Sequence, residues 1–99
     1  MEKPHILSQE KIQEELKKLE GWTYNDNKIS KEFKFNDFMD SLNFINVLAP
    51  FCEQLDHHPD VHIFYSKVLF ELQRFDLGGK VTDKDFMVAG EIERLYKEK

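Results

Sequence analysis

The chain has 99 residues, a formal net charge of −5 and an isoelectric point of about 5.3. That length allows one domain, 1–99, and the acidic balance argues against binding to a nucleic-acid backbone. Its one cysteine, Cys52, excludes an internal disulfide, and no apolar run approaches the ~20 residues of a membrane span. We therefore expect a cytoplasmic protein with no membrane or nucleic-acid contact of its own.

The first predicted element is a helix over Ser8–Glu20. Ser8 can cap its first amides, and Gly21 suits the left-handed residue that often ends a helix. A hairpin follows, because apolar residues alternate on both sides of a polar turn at 25–27. Lys31 interrupts the alternation, so we expect the second strand to fray or to lie near a sheet edge.

A second helix is predicted from Asp37 to Leu55, and it is apolar on two sides. One stripe comprises Phe38, Leu42, Ile45, Ala49 and Cys52, and the other comprises Phe44, Val47, Leu48, Phe51 and Leu55. One sheet covers a single stripe, so the other is expected to meet a partner subunit. Pro50 removes a helical hydrogen bond, which predicts a kink or a short break within 48–51.

The second half of the chain predicts two more strands, over 61–65 and 68–72, then a turn at 78–79 and a last helix. Thr82 and Asp85 resemble a capping box at the start of that helix. The element order is α-β-β-α-β-β-α. Short strands joined by hairpins favour an α+β fold, a four-stranded antiparallel sheet with three helices on one face.

One segment, 53–62, is dense in groups that can do chemistry, since it holds three of the four histidines and three carboxylates. Histidine exchanges protons near neutral pH, so the pattern suggests acid–base chemistry, a metal site, or merely exposed residues at a junction. Pro59 disfavours helix at His58, and in a strand His58 and His62 would lie ~13 Å apart. That spacing disfavours a shared metal ion.

The motif Glu53-x3-His57-His58-Pro59, with Tyr65, Val68 and Leu72 at their spacings, resembles the signature of the pterin-4a-carbinolamine dehydratases. The similarity extends from about Ser8 into the last helix. It implies dehydration of 4a-hydroxytetrahydropterin to quinonoid dihydropterin, in tetrahydrobiopterin recycling, by histidine acid–base catalysis. It implies neither a metal nor another cofactor.

The resemblance assigns His57 and His58 to proton transfer and pterin binding, without saying which does which. Glu53 would orient an imidazole or bind the substrate, and Pro59 would set a bend that turns both histidines inward. Asp85 matches a family aspartate only if the preceding loop is one residue longer, so it is either a site residue or a plain helix cap.

Two positions expected to contact the pterin depart from the family pattern. Phe75 stands where the family commonly has His or Trp, and it can stack on a pterin ring but cannot transfer a proton. Val61 stands where an aromatic residue is frequent. His62 is additional, and as a hypothesis it partly replaces the missing imidazole, although strand alternation sets it opposite Val61.

Three functions follow from this comparison. The first is a working, slowed dehydratase, and the second is a weak or inactive oligomeric binding module, because some animal relatives act as dimerisation cofactors. The third keeps a pterin-like ligand but not this reaction. In each case we expect a homodimer or homotetramer built through helix 37–55.

Overall fold

The computed structural model describes residues 5–73 and 79–99, and its elements follow the predicted order. Three helices and four strands make up the fold: α1 (Gln9–Leu16), β1 (Thr23–Asn25), β2 (Lys28–Lys34), α2 (Phe38–Leu55), β3 (Asp60–Phe64), β4 (Lys67–Leu72) and α3 (Asp83–Lys97). The strands form one antiparallel sheet in the order β1-β2-β4-β3. The predicted α+β class and the helices on one face are confirmed.

Both hairpins turn through residues with positive φ. Asp26 and Asn27, at φ 54° and 62°, form the β1–β2 turn, and two such residues match the twist of the flanking strands. Tyr65, at φ 57°, starts the turn between β3 and β4. Its carbonyl accepts a hydrogen bond of 3.3 Å from the hydroxyl of Ser41, which ties this hairpin to α2.

The inner face of the sheet carries the core, which includes Ile29, Phe33, Val68, Phe70 and Leu72. Within the described residues, β1 pairs only with residues 28–30 of β2, so residues 31–34 have a strand on the β4 side alone. The prediction that Lys31 lies near a sheet edge is confirmed, whereas the strand does not fray but continues to Lys34. Lys31 itself donates to Glu93 on α3 at 2.5 Å and to the Glu20 carbonyl at 2.9 Å. The charge of Lys31 on the inner face of the sheet is therefore stabilised by hydrogen-bond partners at the edge of the core.

The first helix is shorter than predicted. Ser8 caps it as expected, since its side chain accepts from the Lys11 amide, but α1 ends at Leu16. The next residues bond three positions back, Lys18 to Glu15 and Leu19 to Leu16, which is the tighter 3₁₀ pattern common at helix ends. Gly21 does have positive φ, 89°, but in a later turn.

In α2, the buried line runs between the two predicted stripes rather than along either one. Four residues at helical spacing are buried, Ser41, Phe44, Leu48 and Cys52. Val47 stays 60% exposed on one flank and Phe38 45% exposed on the other. The expected break is absent, because α-helix continues through the exposed Pro50; there, water can reach the carbonyl that Pro50 leaves unbonded.

The last helix packs as predicted, with Phe86, Ala89 and Ile92 buried and Tyr96 partly buried. The Tyr96 hydroxyl donates to the Lys34 carbonyl at 2.7 Å, which fixes the end of α3 over β2. Within the described residues, no helix has the length and apolar character that a bilayer crossing requires.

Candidate active site

The site begins where α2 ends. Asp56 adopts the left-handed conformation, and its amide donates to the carbonyls of Cys52 and Glu53. The amide of His57 bonds the Cys52 carbonyl at 3.1 Å. These bonds form a Schellman-type cap with Asp56 in the place that glycine usually takes. The cap reverses the chain, so that His57 and His58 leave the helix in different directions.

His57 is buried, and it meets Asp85 at the start of α3. The side chains are 2% and 0% exposed, and Nε2 of His57 bonds Oδ1 of Asp85. The other carboxylate oxygen accepts the Thr82 amide at 2.7 Å, as the predicted capping box requires. Asp85 is thus the helix cap that the sequence suggested and, in addition, the hydrogen-bond partner of His57.

His58 lies on the surface instead. Its side chain is 53% exposed, and its Nε2 is 2.5 Å from Oε2 of Glu53, which is itself 74% exposed. The expectation that Pro59 turns both histidines inward is therefore wrong. An ionised carboxylate can only accept, so Nε2 of each histidine carries the proton in its bond and Nδ1 is left for other partners.

A pocket of about 420 Å³ opens beside His58. Its walls come from the second half of α2 and the start of β3: Ile45, Leu48, Ala49, Cys52, Glu53, His58, Pro59 and Val61. The volume is within the range of small-molecule sites, and an apolar wall with a few polar groups is typical of them. Four residues that the sequence suggests for a site, Glu53, His58, Pro59 and Val61, line this pocket, whereas His57 and Asp85 are not among its lining residues.

Cys52 contributes a thiol to the wall of the pocket. Burial raises the pKa of its thiol to about 11. At neutral pH the group is therefore the thiol, which is a poor nucleophile compared with the thiolate. The pocket is better suited to proton transfer than to covalent catalysis.

His62 lies apart from this site. Val61 and Ile63 align with the core residues Phe70 and Val68 across the ladder, so His62 projects from the opposite face of the sheet. There its Nε2 is 2.7 Å from Oε1 of Glu71. Hydrogen bonds from Lys28, and secondly from His62, lower the pKa of that carboxyl. His62 cannot replace an imidazole in the pocket from this position.

Phe75, the remaining predicted contact, lies outside the described residues. Over 5–73 and 79–99, no three histidine, cysteine or carboxylate side chains are grouped as metal ligands.

The sequence did not predict two features of the site. Ile45 and Ala49 line the pocket, although their apolar stripe on α2 was expected only to pack against the sheet or a partner subunit. Lys84 is buried beside Asp85 and donates to the Leu55 carbonyl at 3.4 Å. The one feature of the sequence that singles out Lys84 is its place in the first turn of a helix, where the positive end of the helix dipole disfavours a cation.

Comparison of the sequence with protein families and with named relatives points to one family. Residues 5–95 match the family model "Pterin 4 alpha carbinolamine dehydratase". A protein from Sulfurisphaera tokodaii, provisionally named pterin-4-alpha-carbinolamine dehydratase, is 43% identical over 89 residues, 90% of this chain and 95% of that protein.

Two solved structures are also similar. A transcriptional coactivator/pterin dehydratase from Brucella melitensis has a TM-score of 0.85 at 30% identity, over 92% of this chain and 98% of its own. A pterin dehydratase-like RuBisCO assembly factor of the alpha-carboxysome has a TM-score of 0.58 at 20% identity, over 75% and 84% respectively. The second similarity concerns the fold alone.

Proposed function

The chain belongs to the pterin 4 alpha carbinolamine dehydratase family, and on that premise we propose that it dehydrates 4a-hydroxytetrahydropterins to quinonoid dihydropterins. The observation that carries this proposal is the pair of histidine–carboxylate contacts, His57 with Asp85 and His58 with Glu53. We place the reaction in the cytoplasm, because a chain whose single cysteine is a free thiol suits a reducing compartment.

The reaction needs proton transfers and no redox step. The lone pair of the ring nitrogen forms the C=N bond as the C4a–O bond breaks, and the 4a-hydroxyl leaves with an added proton as water. The ring nitrogen then loses its own proton. One general acid and one general base are sufficient, and each typically contributes about 10²–10⁴-fold.

The different positions of the two histidines support different roles for them in this proposal. His58 is exposed on the pocket and bonded to Glu53, so it is the group that exchanges protons with the substrate. His57 is 2% exposed and lies behind the residues that line the pocket, with Nε2 committed to Asp85. Nδ1 is therefore its one ring nitrogen left for the pterin, and we propose that it binds the pterin or takes its proton once the substrate is bound. Pro59 and Val61 supply apolar contact for the ring, and Phe75 is proposed to stack on it.

Purified protein is expected to accelerate 4a-carbinolamine dehydration over the buffer rate, measured by absorbance on substrate generated in situ. Phe75→His is expected to increase kcat, because it restores a proton-transferring group worth at most about 10²–10⁴-fold. Phe75→Leu is the control, since it changes the ring but adds no imidazole. If neither wild type nor Phe75→His exceeds the buffer rate, dehydratase activity is refuted.

We also propose that a second copy of this chain covers the exposed apolar residues of α2 and of the helix side of β3. Val47 and Met39 on α2 are each 60% exposed, and Ile63, which shares the core face of β3, is 36% exposed. Within the described chain β3 pairs only with β4, so its outer edge is free to add a strand. Several exposed apolar residues on a small domain favour its association with another chain.

Light scattering at micromolar concentration should therefore give a dimer or a tetramer. Val47→Glu should shift the mass toward the monomer, because a charge placed in an apolar interface is left unpaired. Gln13→Glu, on the exposed side of α1, adds the same charge and should leave the mass unchanged. A monomeric wild-type protein would contradict the proposal.

A binding module without catalysis is the second candidate function. Phe75 at a position that commonly carries a proton-transferring residue favours it, as does the coactivator function named for the Brucella structure. An oligomer that binds a pterin without accelerating its dehydration would support this candidate.

A further inference from the structure

Lys84 is a buried lysine that the mechanism above does not use. It is 6% exposed, in the first turn of α3. Lysine is almost never this buried unless it is paired, and the amino-terminal end of a helix is the positive end of its dipole. Helix α3 by itself therefore does not stabilise a positive charge at position 84.

The favourable contact comes from α2. Nζ of Lys84 lies 3.4 Å from the carbonyl oxygen of Leu55, the last residue of that helix. This carbonyl is one of the last four, which have no partner inside the helix, and it lies at the negative end of the dipole. The distance is long for a hydrogen bond, so most of the attraction is between the charge and the helix end.

This contact joins the two segments that carry the buried histidine pair. Leu55 precedes His57 by two residues, and Lys84 directly precedes Asp85. Of the histidine, lysine and carboxylate side chains that the structure describes, only these three (His57, Lys84 and Asp85) are buried. They lie together where the end of α2 meets the start of α3.

We propose that Lys84 is a positioning residue, which fixes the end of α2 against the start of α3 and so holds His57 on Asp85. The proposal rests on the proposed function, because Lys84 acts through His57 and not on the substrate. Its removal allows the two helix ends to separate. The imidazole then loses its fixed orientation even if the protein remains folded.

The test compares Lys84→Met, which keeps the apolar stem, with Lys84→Arg, which keeps the charge. Lys97→Met is the matched control, since Lys97 is exposed in the last turn of the same helix. We expect Lys84→Met to change the ¹⁵N NMR signals of the His57 imidazole. We also expect kcat to fall about tenfold with little change in KM, as a misplaced catalytic group predicts. Lys84→Arg should restore both readouts, and Lys97→Met should alter neither.

Unchanged His57 signals in Lys84→Met would overturn the proposal, whatever happens to the unfolding midpoint. If wild type lacks dehydratase activity, the proposed function fails, but the NMR comparison still decides the positioning role. Should Lys84→Met not fold, Lys84→Gln replaces it, because glutamine is polar but lacks the charge that provides most of the attraction to the end of α2. Wild-type His57 signals in that variant would equally refute the proposal.

Discussion

Replacing His58 with alanine is expected to lower kcat for 4a-carbinolamine dehydration by about 10²- to 10⁴-fold, the usual loss for one acid–base group. Of the residues that line the described pocket, His58 alone has a side chain suited to exchanging protons near neutral pH. Its bond to Glu53 fixes the ring and leaves Nδ1 for the substrate. The measurement is kcat at saturating substrate, by stopped-flow absorbance.

His62→Ala is the matched control for this experiment. It also removes an exposed imidazole bonded to a carboxylate, but from the opposite face of the sheet. Its kcat should equal that of wild type, and its free energy of unfolding should change by less than about 1 kcal/mol. Equal losses in His58→Ala and His62→Ala would show that the assignment of His58 is wrong.

The fold could be predicted from the sequence because its main determinants are local. Alternating apolar residues, polar turns and capping residues located all four strands and three helices. The surroundings of Lys31, in contrast, depend on a contact between distant residues. Lys31 lies on the inner face of β2 because Glu93, 62 positions later, accepts its charge.

The sequence proposes a set of residues for the candidate site but does not give their arrangement. The motif identified Glu53, His57 and His58, and strand alternation correctly separated His62 from Val61. The divergence of His57 from His58 follows from the left-handed turn at Asp56, a conformation that this residue type adopts only in some contexts. The partner of His57 is 28 positions away, so no local pattern indicates it.

Loss of the Asp85 carboxylate should have the largest effect on stability. In Asp85→Ala, the buried Nε2–H of His57 and amide of Thr82 both lose their acceptor. Each unsatisfied buried donor costs about 1–3 kcal/mol, so the two together cost about 2–6 kcal/mol. We expect a loss in this range in urea unfolding, a large part of the ~5–15 kcal/mol that stabilises a typical domain.

Asp83→Ala is the control for that loss. Asp83 lies in the same helical turn, and its carboxylate accepts the His5 amide at 2.8 Å in an exposed contact. Its removal should cost no more than about 1 kcal/mol. If both alanine variants unfold at the same urea concentration, the bond between His57 and Asp85 contributes nothing special to stability.

Asp85→Asn separates the structural role of the carboxylate from its effect on catalysis. The amide oxygen can still accept from Thr82, while the amide NH₂ faces Nε2 of His57 and can only donate to it. His57 must then move its proton to Nδ1, the nitrogen that the mechanism leaves for the substrate. We expect most of the stability to be retained, the ¹⁵N signals of His57 to report the other tautomer, and kcat to fall. If the His57 tautomer is reversed in Asp85→Asn but kcat equals that of wild type, then His57 is structural and His58 alone transfers the protons.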